Sequence, residues 1–282
     1  MTESSNFDRD TVRSFGEEWA KFDQSELAPA EQQQIFDQYF AVFPWAKLPP
    51  NAEGFDMGCG SGRWAMLVAP RAGTLNCIDA SAEALGVARR NLANLPNVRF
   101  HHASVDQAPL AVGSQDFGYS LGVLHHIPNT LEAMKACTRL LKPGAPFLVY
   151  LYYSLDNRPM WFRALWKASD VFRRFIQALP GRLKFAATDV FAALVYWPLA
   201  RISMLGEALG LGMAWMPLYA YHDKSFYTMR TDSRDRFGTP LEQRFSRVEI
   251  KAMMEAAGLE QIVFSEGIPY WCAAGVRTAI KI

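Results

Sequence analysis

The sequence predicts an α/β protein: a doubly wound, mostly parallel sheet of seven strands with a helical cap inserted after the fifth strand. Three observations carry this. From Gly54 onward, short apolar runs alternate with amphipathic segments, the pattern of strands buried on both faces beneath covering helices. The alternation lapses near Ser154 and resumes at Ser246, a stretch too long for an ordinary connection in a compact domain. The first strand also runs into a glycine turn, "EGFDMGCGSGRW", with Gly58, Gly60 and Gly62 on alternate positions.

The elements follow in order. Residues 1–50 read as an N-terminal helical lid, with Phe15 and Trp19 at helical spacing and a helix from about Ala30 to Phe43. Pro49 and Pro50 break the chain. Residues 51–155 form the ligand-binding core. "GFDMG" is a buried strand, "RWAMLVA" a helix stopped by Pro70, and "TLNCID" the second strand. "SAEALGVARRNLAN" is a helix with Ser81 placed to cap it. "VRFHHA", "FGYSLG" and "PFLVYLYY" are the next strands, and "NTLEAMKACTRLL" is a helix closed by "KPG". Residues 156–245 are the inserted cap. Residues 246–282 complete the core with the helix "SRVEIKAMMEAAGL" and the strands "EQIVFS" and "YWCAAGVR". In such a fold the ligand sits at the carboxyl ends of the strands.

Composition narrows the function. The chain has 282 residues, half of them hydrophobic, and a formal net charge of +1, so it has no general electrostatic reason to bind nucleic acid. Its start, "MTESSNFDRDTVRSF", lacks a basic-then-apolar leader, which predicts a cytoplasmic protein. Cys59, Cys77, Cys137 and Cys272 show no CxxC spacing and are expected as reduced thiols, with neither a disulfide frame nor a metal site.

The glycine turn brings backbone close to a ligand, because glycine carries no Cβ and accepts positive φ. A dinucleotide fingerprint needs G-x-G-x-x-G, and here Arg63 follows G-x-G-x-G. There is no phosphate loop ending in Gly-Lys-Ser/Thr. Asp56, just before the turn, would repel a pyrophosphate but suits a cationic group. Asp79 ends the second strand, where an acid can accept both ribose hydroxyls. Together they describe an adenosine ligand bearing an ammonium or sulfonium.

Four segments, "FDMGCGSGRWA", "LNCIDASAEALGVAR", "HHASVDQAPLAVGSQDFGYSLGVLHHI" and "LLKPGAPFLVY", resemble the class I S-adenosylmethionine-dependent methyltransferases, the group that includes ubiquinone and sterol methyltransferases. The resemblance covers about Gly54 to Tyr150 and implies an antiparallel last strand. The cofactor it implies is S-adenosyl-L-methionine, with S-adenosyl-L-homocysteine as product. It places Asp56, Gly58, Cys59, Gly60 and Gly62 in the cofactor loop, Asp79 and Ala80 at the ribose, and Leu121 beside the methionine portion. The family often has an aspartate facing the adenine amino group where this chain has Ser104. Val105 still offers its backbone N–H there, and Asp106 can supply the acceptor. Asp116 resembles a family acid that is more often structural.

Methyl transfer from a sulfonium needs an aligned acceptor, and a base only where the acceptor loses a proton. His125 and His126, in "GVLHHIP" after the fourth strand, are the candidate acid/base pair; the alternative is that they pack and shape the pocket. His101 and His102 read as structural, and His222 is unassigned. For the acceptor, Tyr152 and Tyr153 leave the fifth strand at its carboxyl end, and one of them should face the pocket. Tyr227, Arg230, Asp235 and Glu242 lie in the charge-dense "KSFYTMRTDSRDRFGTPLEQRFS", which reads equally as a solvated hairpin.

The cap's first part is aromatic and apolar, with Arg173, Arg174, Arg182 and Lys184 interspersed. It reads as a lid with its own packed core, or as an amphipathic surface making peripheral lipid contact. Its longest uncharged run, Val190 to Ala200, is far short of the ~20 residues of a spanning helix. The expected protein is a methyltransferase acting on oxygen or carbon of a small, partly apolar acceptor: an isoprenoid, polyketide, lipid-linked sugar or aromatic metabolite. The alternative is a non-catalytic regulatory protein that binds S-adenosylmethionine.

Overall fold

The computed structural model describes residues 6–279. Helices α1 (Arg9–Lys21) and α2 (Pro29–Tyr39) precede strand β1 (Glu53–Met57). There follow α3 (Ala65–Val68), β2 (Thr74–Asp79), α4 (Ala82–Asn91), β3 (Val98–His102), β4 (Phe117–Leu121), α5 (Thr130–Leu140) and β5 (Pro146–Tyr150). The insertion carries α6 (Met160–Gln177), α7 (Gly181–Phe191), α8 (Trp197–Ala208) and α9 (Phe226–Gly238). Helix α10 (Arg247–Ala256) and strands β6 (Leu259–Phe264) and β7 (Cys272–Arg277) come last.

The seven strands lie in the order β3-β2-β1-β4-β5-β7-β6. Strands β1 to β5 pair in parallel, and β7 runs antiparallel to both β5 and β6. Because β1 sits between β2 and β4, the strand order reverses there, and a crevice opens at the carboxyl ends of β1 and β4. Alternation along β1 sorts its side chains. Phe55 and Met57 pack with Met134, Phe147, Ile250 and Met254 on one side of the sheet. Asp56 is in register with Cys77 and Tyr119, which belong to the other side with Phe36, Phe40, Trp64 and Leu92. Each fully buried aromatic or Met of this kind contributes ~1.5–3 kcal/mol.

Local signals fix the helix starts. Ser81 Oγ accepts from the Ala84 N–H at 3.2 Å, and Asn129 caps α5. Ser246 and Glu249 form a reciprocal capping box on α10. Two boundaries differ from expectation. Helix α2 stops at Tyr39 rather than Phe43. Pro70 lies inside a tight 3-10 turn, Ala69–Arg71, that continues α3.

The chain divides into two compact units, a core of residues 6–24, 33–156 and 241–279 and a helical unit of residues 25–32 and 157–240. Helix α1 is thus part of the core: a Cβ on Gly16 would come within 2.7 Å of Ser81 Oγ at the start of α4. Residues 241–245 also belong to the core, because the Phe245 N–H donates to the Tyr152 carbonyl and the Ser154 N–H to the Phe245 carbonyl, both at 2.9 Å.

In the helical unit the charged segment, read as acceptor-pocket residues or equally as a solvated hairpin, is helix α9, started by Ser225 and covered by α6 and α7. Arg230 makes a two-pronged pair with Asp189 of α7, at 3.0 Å for each bond. Fully buried Arg234 stacks on Phe185 at 4.5 Å. The unit's buried apolar cluster is small: Ile176, Tyr196, Ala200, Met229 and Phe237. A π-helical turn, Ala192–Tyr196, joins α7 to α8, with Pro198 tolerated in the first turn of α8. The resulting 28-residue helix, Gly181–Ala208, is long and apolar enough to cross a membrane by length and composition.

Candidate active site

The first part of the site is the turn after β1. Gly58 and Gly60 have φ of +79° and +55°, a region that side chains with a Cβ adopt at a cost. A Cβ on Gly58 would meet Val123 at 2.5 Å, and one on Gly60 the Trp19 indole at 2.9 Å. So the turn, the chain after β4 and helix α1 meet at one point. The Gly58 and Cys59 N–H groups both donate to the Ile78 carbonyl, at 2.8 and 3.0 Å, and the Gly62 N–H donates to Cys59 at 2.8 Å. The Asp79 carboxylate takes the Gly60 N–H on one oxygen and the Ser81 N–H on the other, both at 2.8 Å. Burial raises the Asp79 carboxyl, and these N–H groups pull it back.

Asp56 is buried beside the Tyr119 hydroxyl, and its Oδ2 makes no hydrogen bond among the described residues. Burial pushes its carboxyl up to about 8; Tyr119 offsets part of this, and the Asp79 charge adds to it. Such a carboxyl gains from a cation placed next to it.

On the β3 side, the Asp79 carbonyl receives the Ala103 N–H at 3.0 Å, and the His102 ring lies 3.0 Å from the Ala80 carbonyl. Ser104 leads into a 3-10 turn, Val105–Gln107, with its carbonyl accepting from Gln107, while Asp106 is exposed. Across the crevice Leu121 ends β4, and Gly122 follows with φ +78° and open space where a Cβ would stand. Asp116 has a structural place, accepting from the Glu53 N–H at 2.9 Å and from Lys142 at 2.7 Å.

The second part follows β4. His125 and His126 lie in a 3-10 turn, Leu124–His126, and both are buried. Among the described residues neither ring nitrogen of His125 has a hydrogen-bond partner, and its ring centre lies 3.9 Å from that of Tyr152. Burial, then the neighbouring His126 and Arg244, hold the His125 imidazole well below its usual range, so it is neutral near pH 7. His126 Nδ1 is 2.6 Å from the Leu241 carbonyl; a carbonyl only accepts, so Nδ1 carries the proton. Phe15 of α1 presents itself edge-on to the same ring at 4.9 Å.

The structure brings Tyr152, Glu242, His125 and His126 together at the carboxyl ends of β4 and β5. Tyr153 instead packs against Tyr270 at 5.6 Å. Tyr227, Arg230 and Asp235 belong to the helical unit, where Arg230 is engaged by Asp189. Two residues absent from the sequence-based set hold the cluster. Arg244 bonds Glu242 at 2.7 Å, reaches the Tyr153 carbonyl and lies 5.1 Å from the Tyr152 ring. Gln243 donates its backbone N–H to the His125 carbonyl at 3.1 Å and its amide to the Ile127 carbonyl at 2.8 Å. Their only signal was adjacency to Glu242 where the chain re-enters the core.

A methyltransferase-domain family model matches residues 55–149. The chain is 31% identical over 166 residues to a ubiquinone biosynthesis O-methyltransferase of Dechloromonas aromatica, covering 58% of this chain and 68% of that protein. The chain belongs to the class I S-adenosylmethionine-dependent methyltransferases. A second relative, the ubiquinone biosynthesis O-methyltransferase of Aromatoleum aromaticum, is 33% identical over 105 residues. That match covers 36% of this chain, and the chain spans under half, 43%, of the Aromatoleum protein. The S-adenosylmethionine-dependent methyltransferase SibL shares the fold, with a TM-score of 0.53 at 13% identity over 89% of this chain and 56% of that one.

The methyltransferase cofactor is S-adenosylmethionine, and the crevice suits it. Asp56 Oδ2 is a buried acceptor lacking a donor, and the cofactor carries an ammonium and a sulfonium. Gly122, just past the end of β4, leaves open space where a Cβ would stand.

Proposed function

We propose that this methyltransferase transfers a methyl group to the hydroxyl oxygen of a small, partly apolar acceptor. Asp56, Gly58, Cys59, Gly60, Gly62, Asp79, Ala80, Val105 and Leu121 would hold the cofactor, with Ser104 and Asp106 at the rim. When bound, the cofactor supplies an electrophilic methyl on a sulfonium. The protein's residues then have three tasks: to align the acceptor, exclude water and take its proton.

The observation that carries the reading is His125, a fully buried imidazole with both nitrogens unbonded. It lies two residues beyond Val123, which faces the glycine turn. A neutral imidazole can accept a proton, and its burial supports an acceptor hydroxyl rather than bulk water as the donor. His126, with Nδ1 donating to the Leu241 carbonyl, keeps its Nε2 edge as a second group to orient the acceptor. Tyr152 supplies an aromatic wall, held by Arg244 and Glu242. The names of the relatives, O-methyltransferases of ubiquinone biosynthesis, support a hydroxyl on an aromatic or isoprenoid acceptor.

The test is turnover. Purified protein, labelled S-adenosylmethionine and a panel of catechols, phenols and prenylated phenols should give S-adenosylhomocysteine and a labelled methyl ether. Tight binding of S-adenosylhomocysteine with no labelled product, from the panel or from cell extract, would favour the non-catalytic alternative.

A further inference from the structure

The helical unit is built inside out. Every residue of its most charged helix from Tyr227 to Gly238 is at least partly buried. The apolar side chains lie outside: sixteen of the twenty exposed large hydrophobic residues of the described chain fall between Met160 and Trp215. A protein surface rarely gathers so many without a counterpart to cover them.

Helix α6 shows the arrangement most clearly. At 100° per residue, its exposed Met160, Trp161, Leu165, Val171, Phe172 and Phe175 all fall within an arc of about 140°. Arg163, Lys167 and Arg174 are exposed on the adjoining arc of about 40°. Ser169, Asp170, Arg173, Ile176 and Gln177 face inward. The cations therefore run beside the apolar arc along the length of the helix instead of collecting at its ends. Side-by-side placement suits a helix lying in the plane of a membrane interface, with aromatic and aliphatic groups below and cations at the headgroups. The second helix, Gly181–Ala208, likewise turns Thr188, Ala192, Tyr196, Ala200 and Ser203 inward and leaves Leu183, Val190, Leu194, Trp197 and Leu205 outside.

Charge selects the occupant. The exposed charges from 157 to 215 are Arg163, Lys167, Arg174 and Arg182, all cationic, with Arg174 also paired to Asp170 at 3.2 Å. The three acids of the stretch are engaged within the unit: Asp170 by Arg173, Asp189 by Arg230 and Glu207 by the Met213 N–H. A second copy of the chain would bring the same cations and no exposed acid from this stretch to meet them.

We propose that the outer face of α6, together with that of the Gly181–Ala208 helix, is a docking surface for an anionic lipid bilayer, with α6 lying in the plane of the interface. This goes beyond methyl transfer and does not depend on it, because its test needs neither acceptor nor turnover. The full chain is floated with vesicles of phosphatidylcholine alone and of phosphatidylcholine with about one-third phosphatidylglycerol. It should float with the second and much less with the first. Arg163→Gln with Lys167→Gln should weaken partition about 25-fold, at about five-fold for each cation. Phe172→Ser with Phe175→Ser should abolish flotation, with an unchanged circular dichroism melting curve as the folding check. Four results would overturn the proposal: no flotation with either vesicle, equal flotation with both, a stable dimer that does not float, or vesicle-bound protein that resists alkaline carbonate, which would mean a spanning helix.

Discussion

The Asp56 carboxyl ties cofactor affinity to pH. In the free protein it titrates at about 8, raised chiefly by burial. A cationic ligand needs the ionised form, so binding near pH 7 should release a proton. The ionised fraction is about 1% at pH 6 and about 50% at pH 8, so affinity for S-adenosylhomocysteine should rise about 50-fold over that interval. Calorimetric titration in two buffers of different ionisation heat would read both the affinity and the released proton. Stability moves the other way. The folded carboxyl binds its proton more tightly than the unfolded one, whose ordinary value is 3.8. The stability it contributes is complete below that value and is lost as pH rises toward about 8, at ~1.4 kcal/mol per pH unit. Asp56→Asn removes both effects: the free variant should melt higher than the native chain at pH 8, bind the ligand poorly and show no pH slope. Affinity that is flat from pH 6 to 8 in the native protein, or the same slope in Asp56→Asn, would refute the reasoning.

Asp79→Ala removes the acceptor for two backbone N–H groups of the turn as well as the ribose ligand; cofactor affinity should fall ~10–100-fold with the circular dichroism spectrum intact, and unchanged affinity would exclude the ribose role. Gly60→Ala sets a methyl within 2.9 Å of the Trp19 indole at positive φ, so a loss of ~1–2 kcal/mol in stability and weaker cofactor binding are expected. An unaltered melting temperature would mean that α1 does not rest on the turn. His125→Ala should lower turnover ~10²–10⁴-fold at unchanged cofactor affinity, and normal turnover would remove it as the base. His126→Ala should likewise lose turnover at unchanged affinity, read in the same paired assay.

The core was legible because its signals are local. Strands β1 to β5 are short apolar runs between Gly, Pro and capping residues, and period 2 along β1 alone turns Asp56 away from Phe55 and Met57. The G-x-G-x-G spacing marks positive φ, which the turn adopts. Contacts made across long sequence separations were not legible. No pattern relates Gln243 to His125, because that distance depends on where the chain re-enters the core. Tyr152 and Tyr153 are adjacent in sequence, and only the bridge between Tyr153 and Phe245 separates the one facing His125 from the one facing Tyr270.

In the helical unit the helices were legible but the way they face was not, for a different reason. Periodicity gives the width of an apolar arc but not the direction in which it faces. In α6 that direction is decided by the neighbour. Arg236 of α9 and Arg173 of α6 are largely buried, and Asp170 is a carboxylate near both, at 3.9 and 2.6 Å. Turning α6 over would bury more Phe and Leu at ~1.5–3 kcal/mol each. It would also carry Asp170, and Arg173 of the same helix with it, out to water and take Asp170 away from the largely buried Arg236. Arg230, held by Asp189 of α7, sets the same condition on the second helix. With a charged helix at the centre, carboxylate-bearing faces must turn inward, and the aromatic faces are left outside. The polar interior and the apolar exterior are therefore one fact about this unit: the ion pairs around its charged helix set which faces of the neighbouring helices turn inward and which are left exposed.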